Sequence, residues 1–315
     1  MSERTLRAAV VGVGHLGRHH ARILGSLPGV QLVAVVDTNE PRAREIAAPS
    51  GARAVTDVRD VLGDVDLVSI ATPTEVHGVV AMACLERGIP VLVEKPLARS
   101  VAECDALIAA AAKTGTTLAV GHTERFNPAV VAARPAVERP LFVEVHRLGT
   151  FPERSLDIDV VFDLMIHDLD LVLSIVGSEV ESFEAVGVPV ITDRVDIANV
   201  RLRFASGCVA NLTASRISTD RTRKIRFFQR DAYISIDCGA KAAAVYRLVR
   251  RDGARPSIEG GLITVVDHEP LRAELEDFAA AVRDGRPPIV GGADGRRAVA
   301  LAEQITERMA ACIAI

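Results

Sequence analysis

Lysine is rare in this chain, four residues among 37 basic ones, so arginine carries nearly all of the positive charge. Arginine does not lose its proton in a protein, whereas a partly buried lysine can be tuned toward neutrality and can donate to a reacting oxygen. Lys95, kept at the end of the apolar run Ile89-Pro90-Val91-Leu92-Val93, therefore points to chemistry there. Cysteine is sparse as well. The five cysteines, at 84, 104, 208, 238 and 312, are scattered and free of any CxxC spacing, which argues against a disulfide framework or a zinc site and fits a reducing cytoplasm. With no HExxH and no clustered His/Cys set, no metal is expected. Neither charge dominates: a formal net charge of -4 gives no overall attraction to nucleic acid or to an acidic membrane surface. No charged-then-apolar leader opens the chain. The most apolar helix candidate, Val160 to Val176, holds Asp163, His167, Asp168 and Asp170, too many ionisable groups for a lipid span. Internal repeats and low-complexity tracts are absent.

What is present is a chain of 315 residues, 49% hydrophobic, longer than the roughly 250–300 residues at which a single core stops growing. Two domains are expected, 1–121 and 122–315. In the first, β-branched runs at 6–11, 31–36, 66–70, 91–93 and 117–120 alternate with helical stretches at 15–26, 40–48, 75–87 and 101–114. That alternation predicts α/β architecture with a doubly wound parallel sheet. After Pro128 the rhythm changes to a long apolar helix near 157–176 and strands at 181–190, 195–204, 208–216, 222–230, 232–238 and 242–250. Short turns such as Ala205-Ser206-Gly207 predict a large, mostly antiparallel open sheet in an α+β domain. One face of that sheet packs on the long helix, and a second subunit is the simplest cover for the other. Helices at 271–284 and 294–313 close the chain.

Val10-Val11-Gly12-Val13-Gly14-His15-Leu16-Gly17 ends a strand and opens a helix, the context in which GxGxxG reads as a dinucleotide site. Gly12 permits the tight turn, Gly14 lets the backbone approach a pyrophosphate, and Gly17 allows close helix packing, with His15 and Leu16 on the same turn. The helix N-terminus offers unpaired N–H groups to the phosphates. Twenty residues on, Asp37 ends the second strand, where a carboxylate accepts both ribose hydroxyls and repels a 2′-phosphate. NAD is therefore the expected cofactor, although Arg42 and Arg44 lie close enough in sequence to leave NADP open. Thr72, Pro73 and His77 follow a later strand and face the nicotinamide side, His77 with a helix-capping role as the alternative. Glu94 and Lys95 complete the candidate cofactor contacts.

Asp163 and His167 stand at i and i+4 on a helix that is otherwise apolar nearly all round, and Asp170 extends the stripe. Oxidising an alcohol requires a group that accepts the hydroxyl proton while hydride leaves the carbon. Histidine suits that role near neutral pH, a carboxylate one turn away orients it, and a lysine beside the same oxygen stabilises developing alkoxide charge. Lys95, Asp163 and His167 are the candidate catalytic residues, with either Lys95 or His167 as the proton acceptor.

Taken in order, Gly12–Gly17, Glu94-Lys95-Pro96 and Asp163-xxx-His167 resemble the Gfo/Idh/MocA family of NAD(P)-dependent sugar and polyol oxidoreductases. The resemblance implies a Rossmann domain and a C-terminal α/β domain whose open sheet makes homodimers or homotetramers. It also implies a last helix that packs back on the first domain, and Lys95, Asp163 and His167 around the reacting carbon. A narrower resemblance lies in Gly121-His122-Thr123-Glu124-Arg125-Phe126-Asn127-Pro128, His146-Arg147-Leu148-Gly149 and Met165-Ile166-His167-Asp168-Leu169-Asp170. These segments are similar to the branch that holds the UDP-N-acetylglucosamine 3-dehydrogenases, which make a 3-keto sugar for amination in lipid A assembly. The glycine-rich stretch that many members carry ahead of the Asp-xxx-His helix is replaced here by Ser155-Leu156-Asp157-Ile158-Asp159.

A nucleotide-sugar substrate brings a diphosphate, for which Arg125, Arg147, Arg154, Arg216, Arg221, Arg223 and Arg226 are candidate partners. Asn127, ahead of a rigid proline, is a candidate for substrate contact. The competing expectations are a free sugar, inositol or deoxysugar dehydrogenase of the same family, and an NAD-binding regulator that has lost the reaction. The regulator reading expects loss of the lysine or the histidine, and both are kept.

Overall fold

A computed structural model of the chain describes residues 4–151, 158–252 and 254–313. The chain divides into two compact units: the first runs to Thr123 and takes in Leu271–Val299, and the second holds Glu124–Pro270 and continues from Ala300.

The first unit carries a six-stranded parallel sheet. In chain order its elements are β1 (Leu6–Val11), α1 (Gly17–Leu24), β2 (Val30–Val36), α2 (Glu40–Ala47), β3 (Arg53–Val55), β4 (Leu67–Ile70), α3 (Thr74–Leu85), β5 (Val91–Glu94), α4 (Val101–Thr114) and β6 (Leu118–Gly121). The strand order β3-β2-β1-β4-β5-β6 reverses direction at β1, so the carboxyl ends of β1 and β4 open a crevice at a topological switch point. The strands are mostly apolar because both faces are covered; β4 and β5 are buried at every position, Ser69 and Glu94 included. Helix boundaries follow local chemistry: Asn39 and Ser100 cap α2 and α4, and Gly115 ends α4 in the left-handed region.

The second unit is built on an eight-stranded sheet, in the order β14-β13-β12-β11-β7-β10-β9-β8. Its strands are β7 (Pro140–Leu148), β8 (Val180–Val188), β9 (Ile197–Phe204), β10 (Val209–Ser215), β11 (Thr222–Gln229), β12 (Ala232–Asp237), β13 (Ala242–Val249) and β14 (Ser257–Leu262). All pairings are antiparallel except β7 with β10. Burial alternates along each strand. Val143, Val145, Leu212, Ile225, Phe227 and Ile234 form one core with helix α6 (Ile166–Val176) and the short helix α5 (Pro128–Ala133). The other face carries polar pairs, Glu144 with Arg226 at 2.6 Å and Asn199 with Thr213 at 2.8 Å, and a row of rings formed by Phe142, Phe228, Tyr233 and Tyr246.

The expected cut at residue 121 misses the return of the chain. Helix α7 (Pro270–Asp284) buries Leu275, Phe278 and Ala279 in the core of the parallel sheet beside Leu6, Ala8 and Leu32, and the Val120 N–H donates to Val290 O at 3.1 Å. Helix α8 (Gly292–Ile313) divides: its first turns belong to the first unit, while Leu301, Ala302, Ile305 and Met309 join the core of the second. Strands β3, β7 and β14 and helix α5 had no counterpart in the sequence reading. β14 holds two consecutive glycines and β3 is three residues long, so both give little pattern. Among the described residues no helix is long and apolar enough to cross a membrane. Among the described residues Cys84, Cys104, Cys208 and Cys238 are buried and form no disulfide, and burial pushes the Cys84 thiol up to about 12.

Candidate active-site residues

In the first unit β1 runs into the glycine turn. Gly12 has φ +79°, and a Cβ there would lie 2.8 Å from Ala71 O; a Cβ on Gly17 would lie 1.8 Å from Gly12 O. The fold itself demands glycine at those two positions. Gly14 differs, because a Cβ there meets no protein atom within 4 Å. The space in front of its main chain is open, which is what a pyrophosphate cradle requires. Helix α1 has no side-chain cap, and His15 and Leu16 stand exposed on the turn leading into it.

Asp37, just past β2, is held by two main-chain donors: Val13 N–H at 2.8 Å and Asn39 N–H at 2.9 Å. With Gly12, Thr38, Thr72 and Pro73 it lines a cavity of 640 Å³. Arg42 donates to Val13 O at 3.0 Å and to Glu45 at 2.8 Å, Arg44 pairs with Glu40 at 2.5 Å, and Arg59, on the cavity wall, pairs with Asp57. Arg42, Arg44 and Arg59 thus each have a carboxylate already, and the charge of Asp37 on the cavity wall would repel a 2′-phosphate placed beside it. The residues fit NAD.

His77 does not serve the cofactor side. Its ring is buried, with Nδ1 2.9 Å from Pro96 O and Nε2 2.9 Å from Thr72 O, so it is enclosed between two main-chain carbonyls, to one of which a neutral ring donates. It ties the start of α3 to the turn that follows Lys95.

Lys95 is half-buried between two buried stretches, Val91–Glu94 and 96–98. Its backbone N–H donates to Glu94 Oε2 at 3.2 Å. The other Glu94 oxygen receives His20 Nε2–H at 3.0 Å, and His20 Nδ1 lies 2.7 Å from Ser69 Oγ. Burial works against the charge on Glu94, but the hydrogen bond from His20 and the charge of Lys95 outweigh it and hold the carboxyl below its ordinary range. Ser69, His20 and Glu94 follow the contact order of a hydrolytic triad. All three are buried, however, and they brace the strand end that carries Lys95. Gly121, beside them on β6, is kept because a Cβ would stand 3.0 Å from Glu94 Cδ. His20 and Ser69 were missed in the sequence; the available signal was a histidine on the buried face of α1 beside Ala21 and Leu24.

In the second unit the expected long helix is not uniform. Val161–Met165 form a π-helical turn, and α6 begins at Ile166. Asp163 lies in the π turn and the half-buried His167 in the first turn of α6, so their spacing crosses a change of helix type, an irregularity frequent at functional sites. Asp163 lines a cavity of 280 Å³ with Arg147, Gly149, Thr150, Leu164, Arg216, Arg221 and Arg223.

The remaining acids and arginines form ion pairs, which changes the expected substrate contacts. Arg125 forks onto Asp170 at 2.6 and 2.8 Å. Arg147, buried, forks onto Asp168 at 2.8 and 2.9 Å and reaches Glu124 at 3.1 Å. Burial opposes the Arg147 charge, but the carboxylate of Asp168 outweighs it and raises the guanidinium above its ordinary value. Asp168 and Asp170 therefore balance arginines and do not extend the Asp163–His167 stripe. Asn127 is buried and caps α5: its Oδ1 accepts Ala129 N–H at 3.1 Å, and its Nδ2 donates to Cys238 O at 3.0 Å and Glu124 at 3.1 Å. Its amide is used up inside the unit.

A further pair, absent from the expectations, sets the wall behind Asp163. Asp196 Oδ2 accepts the N–H groups of Val190, Ile191 and Thr192 at 2.7–2.9 Å, and its Oδ1 accepts Arg216 Nε at 2.9 Å. Arg216 also donates to Ile158 O at 2.7 Å, just ahead of the π turn. Arg154 and Ser155–Asp157 lie outside the described residues.

A parallel sheet with a glycine cradle, a carboxylate at the ribose end and a lysine at a strand end, joined in one chain to an open-sheet unit bearing Asp163 and His167, defines a nicotinamide-dependent dehydrogenase acting on hydroxyl groups. Residues 6–122 match the family model of the oxidoreductase NAD-binding Rossmann fold, and 139–235 that of the GFO/IDH/MocA C-terminal domain. The chain belongs to the Gfo/Idh/MocA oxidoreductase family. It is 42% identical over 304 residues to the UDP-N-acetylglucosamine 3-dehydrogenase of Acidithiobacillus ferrooxidans, covering 95% of this chain and 96% of that one. A crystal structure of that enzyme superposes with a TM-score of 0.91 at 40% identity, over 97% of this chain and 98% of the other. The scyllo-inositol 2-dehydrogenase of Bacillus subtilis is 31% identical over 93% of this chain and 90% of its own.

Proposed function

We propose that the chain oxidises the C3 hydroxyl of a nucleotide-linked amino sugar such as UDP-N-acetylglucosamine to the 3-keto sugar. The observation that supports this reading of the reaction is Lys95, half-buried at a strand end and braced by the Glu94–His20–Ser69 network. The 42% identity to a UDP-N-acetylglucosamine 3-dehydrogenase supports the substrate class. NAD, when bound, accepts the hydride. Gly12, Gly14 and the α1 N-terminus hold the pyrophosphate, and Asp37 holds the ribose. Lys95 and His167 divide the work of taking the hydroxyl proton and stabilising the alkoxide, with Asp163 orienting the histidine. The inositol dehydrogenase relatives motivate the second reading, a free polyol substrate.

The test is turnover of NAD with UDP-N-acetylglucosamine, UDP-glucose, free N-acetylglucosamine and the inositols. Oxidation of the UDP-amino sugar is expected, and turnover confined to free polyols overturns the proposal. Lys95→Met should lower kcat at least a thousandfold (~4 kcal/mol or more) while NADH binding, read by fluorescence, stays within about threefold. In a cell the product serves amination in lipid A assembly, and the setting is cytoplasmic; activity in a cytosolic extract and loss of the 3-amino sugar on gene deletion check both. The face of the eight-stranded sheet that carries Phe142, Phe228, Tyr233 and Tyr246 is the surface through which we place a homodimer or homotetramer. Sedimentation should give a multiple of the 33.6 kDa chain mass, and Tyr246→Glu should reduce it.

A further inference from the structure

Seven arginines were candidates for a phosphate, and the structure separates the six it describes by the carboxylates they face. Arg125, Arg147, Arg216 and Arg226 each hold a carboxylate at 2.6–2.9 Å, with Asp170, Asp168, Asp196 and Glu144 as partners. Arg125 and Arg147 fork onto buried carboxylates and Arg216 and Arg226 give one bond each to theirs, so all four have a counter-charge at bonding distance and less to offer an anion. Arg221 and Arg223 differ. Arg221 is exposed and donates only a long bond, 3.3 Å, to Thr150 Oγ1; the Arg223 side chain is 59% exposed and its nearest carboxylate among the described residues, Glu124, is 3.9 Å away and already bonded to Arg147.

Both line the 280 Å³ cavity that Asp163 also lines. Arg223 on β11 stands directly opposite Arg147 on β7, so two guanidinium groups share one cross-strand position. Like charges placed opposite one another repel, and Asp168 with Glu124 offset the charge of Arg147 first. The cavity therefore has a carboxylate on its wall and an uncompensated positive rim. A neutral polyol has no use for that rim, whereas a sugar that carries an anion on its anomeric oxygen does. The volume falls below the roughly 300–1,000 Å³ of a site enclosing a whole ligand, so it suits a part of a nucleotide sugar and not the whole of it.

We propose that Arg221 and Arg223 form a diphosphate subsite that selects nucleotide-linked sugars over free ones. The inference rests on the substrate class proposed above and names the residues that enforce it. It assigns no contact to the nucleoside.

The test uses the full chain loaded with NADH, with UDP, UMP and uridine as probes in calorimetric titrations against wild type, Arg221→Gln, Arg223→Gln and the double variant. UDP should bind wild type more tightly than UMP, and uridine weakly. Each single variant should lose about tenfold in UDP affinity, the double variant more, with uridine unchanged, because a hydrogen bond to a charged group is worth about that much. The same variants should raise KM for the UDP-sugar with kcat changed far less, and the melting temperature and NADH affinity should hold. UDP affinity that is equal in wild type and the double variant overturns the subsite, even if UDP-N-acetylglucosamine is turned over. Arginine-dependent UDP binding supports the subsite even in an enzyme that oxidises only free polyols, and in that case it is the substrate reading that falls.

Discussion

The two units meet charge in opposite ways. In the first, the cofactor surface is mostly main chain: glycine turns, an uncapped helix start and one carboxylate held by two N–H groups, with the nearby arginines paired off at the surface. In the second, the walls around Asp163 are buried arginine–carboxylate pairs, and the available cations stand at the rim. A ligand with delocalised phosphate charge can be bound by main-chain dipoles, which tolerate sequence change everywhere except at the glycines. Side-chain pairs demand both partners and their geometry, because a buried charge that loses its partner is costly.

The largest effect tests that difference at Asp196. Asp196→Asn removes the charge that pairs with buried Arg216 and leaves one side-chain oxygen to serve either that guanidinium or the three N–H groups, so it should cost about 3–5 kcal/mol, read as a lower denaturant midpoint at constant slope. The pH dependence should follow. Burial opposes the Asp196 charge, but the N–H groups, Thr192 and Arg216 prevail and hold its folded pKa below the ordinary value. A carboxyl depressed by folding stabilises above its unfolded pKa near 3.9, and that stability is lost as pH falls toward the folded value. Wild type should therefore lose stability below about pH 4 more steeply than Asp196→Asn, by up to ~1.4 kcal/mol per pH unit. Equal slopes would show that the pair contributes nothing to acid sensitivity.

The same contrast decides what could be read from the chain alone. The parallel sheet and its glycine turn were legible because β4 and β5 are mostly apolar and because glycine has few reasons to recur at 12, 14 and 17. Asp37 was legible by its distance from that turn. The arginines were not, since sequence gives a guanidinium no partner: Arg125 and Arg223 look alike until Asp170 appears 2.6 Å from one and, among the described residues, no carboxylate closer than 3.9 Å from the other. Asn127 looked like a ligand contact because it precedes a proline, yet a side-chain acceptor just before a proline at the first helical position is also the pattern of a helix cap, and capping is its use here. The central strand β7 was missed because its outward positions hold Glu144 and His146 and its last inward position holds Arg147, which blurs the alternation. The return of 271–299 to the first core depends on contacts far apart in sequence, which no local pattern encodes.

Within the first unit the comparison sharpens to two glycines three residues apart. A Cβ on Gly17 meets the Gly12 carbonyl at 1.8 Å, main chain against main chain, so Gly17→Ala must displace the turn or the helix, at about 1–3 kcal/mol or more. Stability and NADH affinity should fall together. Gly14→Ala adds a methyl where no protein atom lies within 4 Å, and the position has no positive φ that a side chain would strain. Its melting temperature should stay within about 1 °C of wild type, consistent with the ±0.5 kcal/mol of a harmless surface change. NADH affinity should nevertheless drop tenfold or more, because the methyl occupies the approach of the pyrophosphate to the backbone. If Gly14→Ala bound NADH as tightly as wild type, the open space at Gly14 would not be the cofactor's, and the main-chain cradle would have to be placed elsewhere on the turn. If it lost stability instead, the glycine would be answering to the fold, as Gly17 does, and the distinction between the two would collapse.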